Sequence, residues 1–340
     1  MNPFRYILRR LIFGIVVLVA VMTMTFVLSR SLGGNTVMAW LGKSASIHPE
    51  LAVLYAQKYH LNDPIPVQYY YYVLNLLQGN LGFSPSRGFQ PVVEVIGMTL
   101  PFTLQITFFA FVISLILGVA LGVLSAQYHH KPLDKCIRGF YLAGYSSPPF
   151  FVALILLIAF AFIFHLLPSG GAVDISLNAP SSITGIPMID ALVEGNFPYL
   201  LSSLQHVILP SLALALVTFG VLTRVLRSSL LDVMHANYIR TARAKGLDES
   251  TVFFKHALRN AMISVVTISS LMVTWLITGT IFVENVFAYP GMGQYLVTAL
   301  AAEDYPGILG VTIVFAVFIV ITNLIADVLY AVVDPQVRLG

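Results

Sequence analysis

Residues 95–130 include no Asp, Glu, Lys or Arg. That run is far longer than the ~20 apolar residues that cross the hydrocarbon core of a bilayer. A soluble fold would have to bury it on every side, and the rest of the chain lacks the charge to cover such a core. Only 10% of residues are charged and 58% are hydrophobic, against roughly 25% charged in soluble domains. The sequence therefore predicts an all-α membrane protein, because a segment apolar all round can satisfy its backbone in lipid only as a helix. A transmembrane barrel would show short strands of alternating polarity instead.

Six segments are long enough to span: residues 11–29, 99–126, 140–167, 206–223, 260–283 and 308–332. As helices they measure roughly 27–42 Å at 1.5 Å per residue, so the longer ones must tilt or overshoot. The first follows Arg5, Arg9 and Arg10 but exceeds the roughly 7–15 residues of a secretory signal core, and is read as a retained anchor. Basic residues orient the set. They mark the N-terminus, the second-to-third connection (Lys131, Lys135, Arg138), the fourth-to-fifth connection (Arg224, Arg227, Arg240, Arg243, Lys245, Lys255, Arg259) and the C-terminus (Arg338), whereas 168–205 and 284–307 hold no Lys or Arg. The positive-inside rule then places both termini in the cytoplasm; the connection 30–98, long enough to escape the rule, is external despite its basic residues.

The expected organisation is a cytoplasmic N-terminus (1–10), a first transmembrane helix (11–29), an external loop domain (30–98), a transmembrane core holding helices two to six (99–332, including the connection 224–259) and a cytoplasmic C-terminus (333–340). In the external loop Tyr69, Tyr70, Tyr71 and Tyr72 are consecutive. Headgroup-level packing is the expected role for them, with stacking on a sugar as the alternative.

Most chemistries find no support. One cysteine, Cys136, excludes a disulfide framework or a multi-cysteine metal site. The triplet Gly42-Lys43-Ser44 resembles the end of a phosphate-binding loop, but Val37 stands where its first glycine is required. The eight histidines show no metal-ligand spacing, so no metal is expected. Gly144-Tyr145-Ser146-Ser147 matches a buried serine nucleophile poorly and lacks a base. The net charge of +3 is small, and no nucleic-acid partner is expected. Asp327 is the clear acid within a span, with Asn323 one turn away on the same face. A helix–helix polar contact is the expected role for the pair, with ion coupling as the alternative.

The fourth-to-fifth connection is unlike an ordinary loop. Tyr238, Ile239, Arg240, Thr241, Ala242, Arg243, Ala244, Lys245, Gly246 and Leu247 read as a short helix stopped by glycine. Asp248, Glu249 and Ser250 then open a second helix, where acidic residues suit the dipole. A basic helix-turn-helix at the membrane surface is predicted; a solvated loop that merely orients the protein is the alternative that composition leaves open.

This stretch, with His256-Ala257-Leu258-Arg259-Asn260-Ala261 after it, resembles the EAA loop of inner-membrane permeases of ABC importers, in the dipeptide/oligopeptide/nickel group. The resemblance covers nearly the whole chain. It includes Leu61-Asn62-Asp63-Pro64, Gly79-Asn80-Leu81-Gly82-Phe83-Ser84, Thr103-Leu104 and Leu209-Pro210, and its most specific part is Glu284-Asn285-Val286-Phe287-Ala288-Tyr289-Pro290-Gly291-Met292-Gly293. Asp304-Tyr305-Pro306, Asn323 to Asp327 and Asp334-Pro335 complete it. Departures are Gly33-Gly34-Asn35 in place of Pro-Gly-Asp-Pro, and Ser264 where a proline is usual. Residues 183–197 look most similar to the dipeptide permeases.

The resemblance implies an ABC type I importer transmembrane fold in the cytoplasmic (inner) membrane, paired with a second, homologous permease, two ATPase subunits that bind ATP and Mg, and an external substrate-binding protein. Residues 236–258 would be the coupling helix, with Ala242, Ala244 and Gly246 packing in the ATPase groove and Arg240, Arg243 and Lys245 at its rim. The substrate would be dipeptides or oligopeptides, with oligosaccharides or nickel as alternatives on the same machinery. An ion-coupled secondary transporter using Asp327, Glu284 or Asp304 is the alternative from another class, and a membrane enzyme a third. Within the spans, Pro101, Pro148, Pro149 and Pro210 each remove a helix hydrogen bond and mark places to bend. Gly118 and Gly122 form a small-residue pair suited to close helix contact.

Overall fold

The computed structural model describes residues 3–31, 49–58 and 60–333. Gly33-Gly34-Asn35, Gly42-Lys43-Ser44 and Asp334-Pro335 lie outside the described residues, as does nearly all of the 333–340 segment.

Twelve α-helices are described. They are α1 (Pro3–Ser31), α2 (Pro49–Lys58), α3 (Ile65–Leu77), α4 (Val92–Gln127), α5 (Pro132–Ser146), α6 (Pro149–Leu156), α7 (Pro187–Glu194), α8 (Phe197–Met234), α9 (Asn237–Ala244), α10 (Arg259–Val286), α11 (Met292–Ala301) and α12 (Tyr305–Val333). Wider π-helical turns extend α6 through Leu157–Ile163 and lead into α10 through Thr251–Leu258. The one sheet among the described residues is a two-stranded antiparallel ribbon, β1 (Phe83–Ser84) with β2 (Gln90–Pro91).

Five helical stretches are long and apolar enough to cross a bilayer, and a sixth is a bent pair. The bent pair lies over the predicted span 140–167, at the place to bend that Pro148 and Pro149 mark. Helices α5 and α6 meet at 110°. The cause is local: Pro148 follows Ser147, and the clash of a proline ring with the preceding residue drives that residue out of the helical region, here to φ −91 and ψ 137. Pro149 then occupies the first turn of α6, where its missing N–H costs nothing. Pro101 and Pro210 behave differently, since α4 and α8 run through them as continuous helices.

Helix α8 is the centre of the bundle, and its neighbours approach closely because glycines face it. A Cβ on Gly118 would stand 2.6 Å from Cβ of Leu222, and one on Gly122 would stand 3.0 Å from Cβ of Leu226. The small-residue pair of α4 therefore seats two leucines of α8 within one chain. On another side, Gly220 of α8 lies against the Tyr141 carbonyl of α5. Hydroxyls add short cross-links: Ser114 and Thr218 are 2.8 Å apart, and Ser211 donates to the Ile106 carbonyl at 3.3 Å. In a bilayer, where apolar contact with lipid is as good as with protein, close packing and such bonds hold helices together.

At the end of the bundle where α10 stops and α12 starts lie the β-ribbon that precedes α4 and part of the segment between α6 and α8. Gly171 N–H donates to the Phe287 carbonyl at 2.9 Å. Two of the four tyrosines of α3 pack against α1. Tyr69 and Tyr72 lie against Phe26 of α1 with ring centroids at 5.1 and 5.4 Å, and the Tyr69 hydroxyl is 2.7 Å from that of Thr23. Tyr71 stacks on His60, and Tyr70 is exposed.

Candidate functional site

At the opposite end of α8 the chain makes the predicted helix-turn-helix. Helix α9 presents Ile239 and Ala242 inward, where both are buried. Gly246 has φ +79, the left-handed conformation that reverses the chain and that residues with a Cβ adopt at a cost. Its N–H donates to the Arg243 carbonyl at 2.9 Å. Two bonds from Arg243 to Glu249, at 2.8 and 3.2 Å, brace the turn from outside. Thr251 N–H donates to Asp248 Oδ2 at 2.8 Å, and this backbone bond holds the Asp248 carboxyl below its usual range. Asn260 Nδ2 donates to the Tyr238 hydroxyl at 2.9 Å, tying α9 to the start of α10.

The element is thus braced on both sides, and one expectation changes. Ala242 is occupied by the chain's own core, because its position three after Ile239 puts it on the same buried face. Tyr238, Arg240, Thr241, Ala244, Lys245, Gly246 and Leu247 remain on the surface. Arg243 is exposed too, but paired.

Between the α5–α6 bend, α8 and α10 runs an open groove of about 510 Å³. Leu214, Val217 and Val221 form its floor on α8, Ile268, Leu271, Met272 and Trp275 its wall on α10, and Tyr145 closes the side at the bend. Trp275 is 70% exposed. Arg224 is the one charged residue of the lining.

Three buried carboxylates hold this frame, and the sequence patterns hid their geometry. Glu284 accepts a 2.7 Å bond from Thr103 Oγ1, and bonds of 2.7 and 3.1 Å from the Gly293 and Gln294 amides at the start of α11. The Met292 amide donates back to Thr103 Oγ1 at 2.8 Å. A carboxylate at a helix N-terminus meets unpaired N–H groups and a favourable dipole. A side chain at Gly291 would collide with that carboxylate, and one at Gly293 would stand 2.5 Å from the Ile281 Cα. The Glu284–Gly293 pattern is therefore one packing unit.

Asp304 caps α12 by accepting from Gly307 N–H at 2.8 Å. It also accepts from the hydroxyls of Ser84 and Ser86, the latter at 2.6 Å, which pins the β-ribbon to the bundle. Asp134, absent from the sequence expectations, is fully buried at the start of α5. It accepts from Ser125 Oγ at 2.5 Å and from Arg227 Nε and Nη2 at 2.9 Å each. Its signal was its placement amid Lys131, Lys135 and Arg138, all of which read simply as orienting charge. Asp327 pairs with Arg10 of α1 at 3.0 Å, and Asn323 accepts from Thr274 of α10 at 3.3 Å, so the intraspan polar pair joins α12 to two neighbours.

Comparison with known proteins adds an independent line. The family described as "Binding-protein-dependent transport system inner membrane component" matches residues 118–339, and its N-terminal counterpart matches residues 3–107. Over 335 residues the chain is 37% identical to the probable D,D-dipeptide transport system permease protein DdpB of Escherichia coli (strain K12), covering 98% of each. It is 36% identical to the oligopeptide transport system permease protein AppB of Bacillus subtilis (strain 168), covering 98% of this chain and 99% of that one. Identity to the dipeptide transport system permease protein DppB of Escherichia coli (strain K12) is 34%, with 98% of each covered. Among solved structures, a chain of the MetNI methionine ABC transporter in inward facing conformations superposes with a TM-score of 0.52 at 14% identity. The match covers 71% of this chain and 97% of that one, and shows a shared fold.

Proposed function

The chain belongs to the family of binding-protein-dependent transport system inner membrane components, and on that premise we propose that it forms half of the translocation pathway for short peptides in an ABC importer. It is a multi-pass inner-membrane permease subunit with the transmembrane fold of type I importers. Peptides are favoured as cargo by the relatives, which are named as dipeptide and oligopeptide permeases.

In this reading a second, homologous permease completes the pathway, two ATPase subunits bind ATP and Mg and hydrolyse the nucleotide, and an external binding protein delivers the peptide. The N- and C-termini and α9 face the cytoplasm, as the distribution of Lys and Arg supports. The segments between α1 and α4 and between α6 and α8 receive the binding protein. The observation that carries the reading is the braced α9. Its inner face is locked by Ile239 and Ala242, its turn by Arg243–Glu249 and its far side by Tyr238–Asn260, while Arg240, Ala244, Lys245 and Gly246 stand free for a partner. A helix held this firmly passes a push from an ATPase subunit to α8 and α10 as rigid-body motion.

The test is co-purification of the ATPase subunits from detergent-solubilised membranes, with the native chain and with Gly246→Pro. Proline fixes φ near −65° and removes the N–H, so it can keep neither the φ of +79 nor the bond to Arg243. Native protein should retain the ATPases and the variant should lose them while remaining inserted and monodisperse. Absence of ATPases from intact native protein would overturn the reading.

A further inference from the structure

The groove has one feature that the proposed function does not absorb. Its walls are aliphatic and aromatic, with the Tyr145 hydroxyl at one side, and its two aliphatic hydroxyls are turned to the chain itself: Ser147 donates to the Ala143 carbonyl at 2.7 Å, and Thr218 to the Leu214 carbonyl at 2.9 Å. Arg224 is different. It is exposed, and among the described residues no ion pair or side-chain hydrogen bond engages it. Arg227, one turn further along α8, shows the contrast, because its Nε and Nη2 both donate to Asp134.

An arginine keeps its charge at any physiological pH and offers five donors in a planar fork that fits a carboxylate with two parallel bonds. A groove of about 510 Å³ falls within the size of small-molecule sites, which combine apolar walls with few, well-placed polar groups. The lining of this one includes no Asp or Glu, so it favours anionic over cationic cargo. Its wall of Leu271, Met272 and Trp275 suits varied apolar side chains, since Met adapts in shape and an indole offers a broad face.

We propose that Arg224 is a cargo-selecting residue of the pathway, binding the C-terminal carboxylate of the passing peptide while its side chains slide along the Leu271–Trp275 wall. The inference rests on the reading of the chain as a peptide permease. A short peptide is the occupant that matches both properties of the groove, one fixed anion and variable apolar groups.

The experiment is uptake into proteoliposomes holding the complete transporter and its binding protein, with radiolabelled Ala-Ala and its C-terminal amide as probes. Native, Arg224→Gln and Arg224→Lys complexes are compared. Any preference of the binding protein for the free acid cancels in the ratio of variant to native uptake for each probe. Arg224→Gln should lower Ala-Ala uptake about tenfold, the scale of a lost charge-assisted bond, and leave amide uptake within twofold. Arg224→Lys, which keeps the charge but not the fork, should fall between. Equal loss of both probes, or loss of neither, overturns the proposal. Failure of the native complex to transport either probe would overturn the peptide reading itself.

Discussion

Helices α1 and α8 pass the same test of length and apolarity, yet 11% of the most apolar window of α1 is buried in the protein against 61% for α8. Hydropathy is blind to that difference, because a leucine is equally at home beside a lipid tail and beside another leucine. What separates the two helices is the small residues and polar groups set against them. Helix α8 meets Gly118 and Gly122 of α4, Tyr141 of α5 with its own Gly220, and a buried Asp134 that engages Arg227. Helix α1 has fewer such features, namely Gly14 against Val320 of α12, the Arg10–Asp327 pair and the hydroxyl contacts of Thr23 and Thr25 with α3, and it turns Ile12, Phe13, Ile15 and Val16 outward.

The strongest way to break this comparison is Asp134→Ala. It strands Arg227, whose side chain is 17% exposed, and should cost about 3–5 kcal/mol, as breaking a buried pair typically does. Thermal unfolding in detergent, followed by size-exclusion chromatography, would read the loss. An unchanged midpoint would mean that α8 is not anchored there.

Next is Gly118→Ala. Its Cβ would stand 2.6 Å from the Leu222 Cβ, an atom next to the backbone that cannot swing aside, so about 2 kcal/mol is expected, within the usual range for overpacking. Gly14→Ala sharpens the contrast. Its nearest neighbour is Cγ1 of Val320, also at 2.6 Å, but that methyl can move by rotation about one bond at the lipid-exposed edge. About 1 kcal/mol or less is expected, at the low end of overpacking costs. The same assay should rank the three variants in this order. Equal penalties for the two glycines would show that edge and centre are packed alike.

Much of the fold was legible before the structure. The charge-free run at 95–130 and the apolar segments predicted about six membrane-spanning helices, and the described residues hold five helices long and apolar enough to span with a bent pair as a sixth. The glycine stop at 246 was readable because few residues adopt its φ. The bend in the third segment was legible from Pro148-Pro149, but its size was not, because apolarity measures length in lipid and says nothing about direction. Ala242 was assigned outward for its size, when its spacing from Ile239 sets which face it shares. Glu284 and Asp304 were weighed only as carriers of ion coupling, since a carboxylate near a span has the same letter whether it moves a proton or caps a helix.

The sequence by itself determined that this chain is a helical membrane protein of the importer permease family. Water-free lipid leaves an apolar segment no other way to satisfy its backbone, and the motifs run nearly end to end. Only the tertiary structure decided which faces meet protein and which meet lipid, and where the buried acids go. Thr103 and Glu284 are 181 residues apart, and Ser86 and Asp304 are 218 apart. A partner at that separation leaves no period or spacing in the chain, because packing in three dimensions alone brings it within reach of a hydrogen bond.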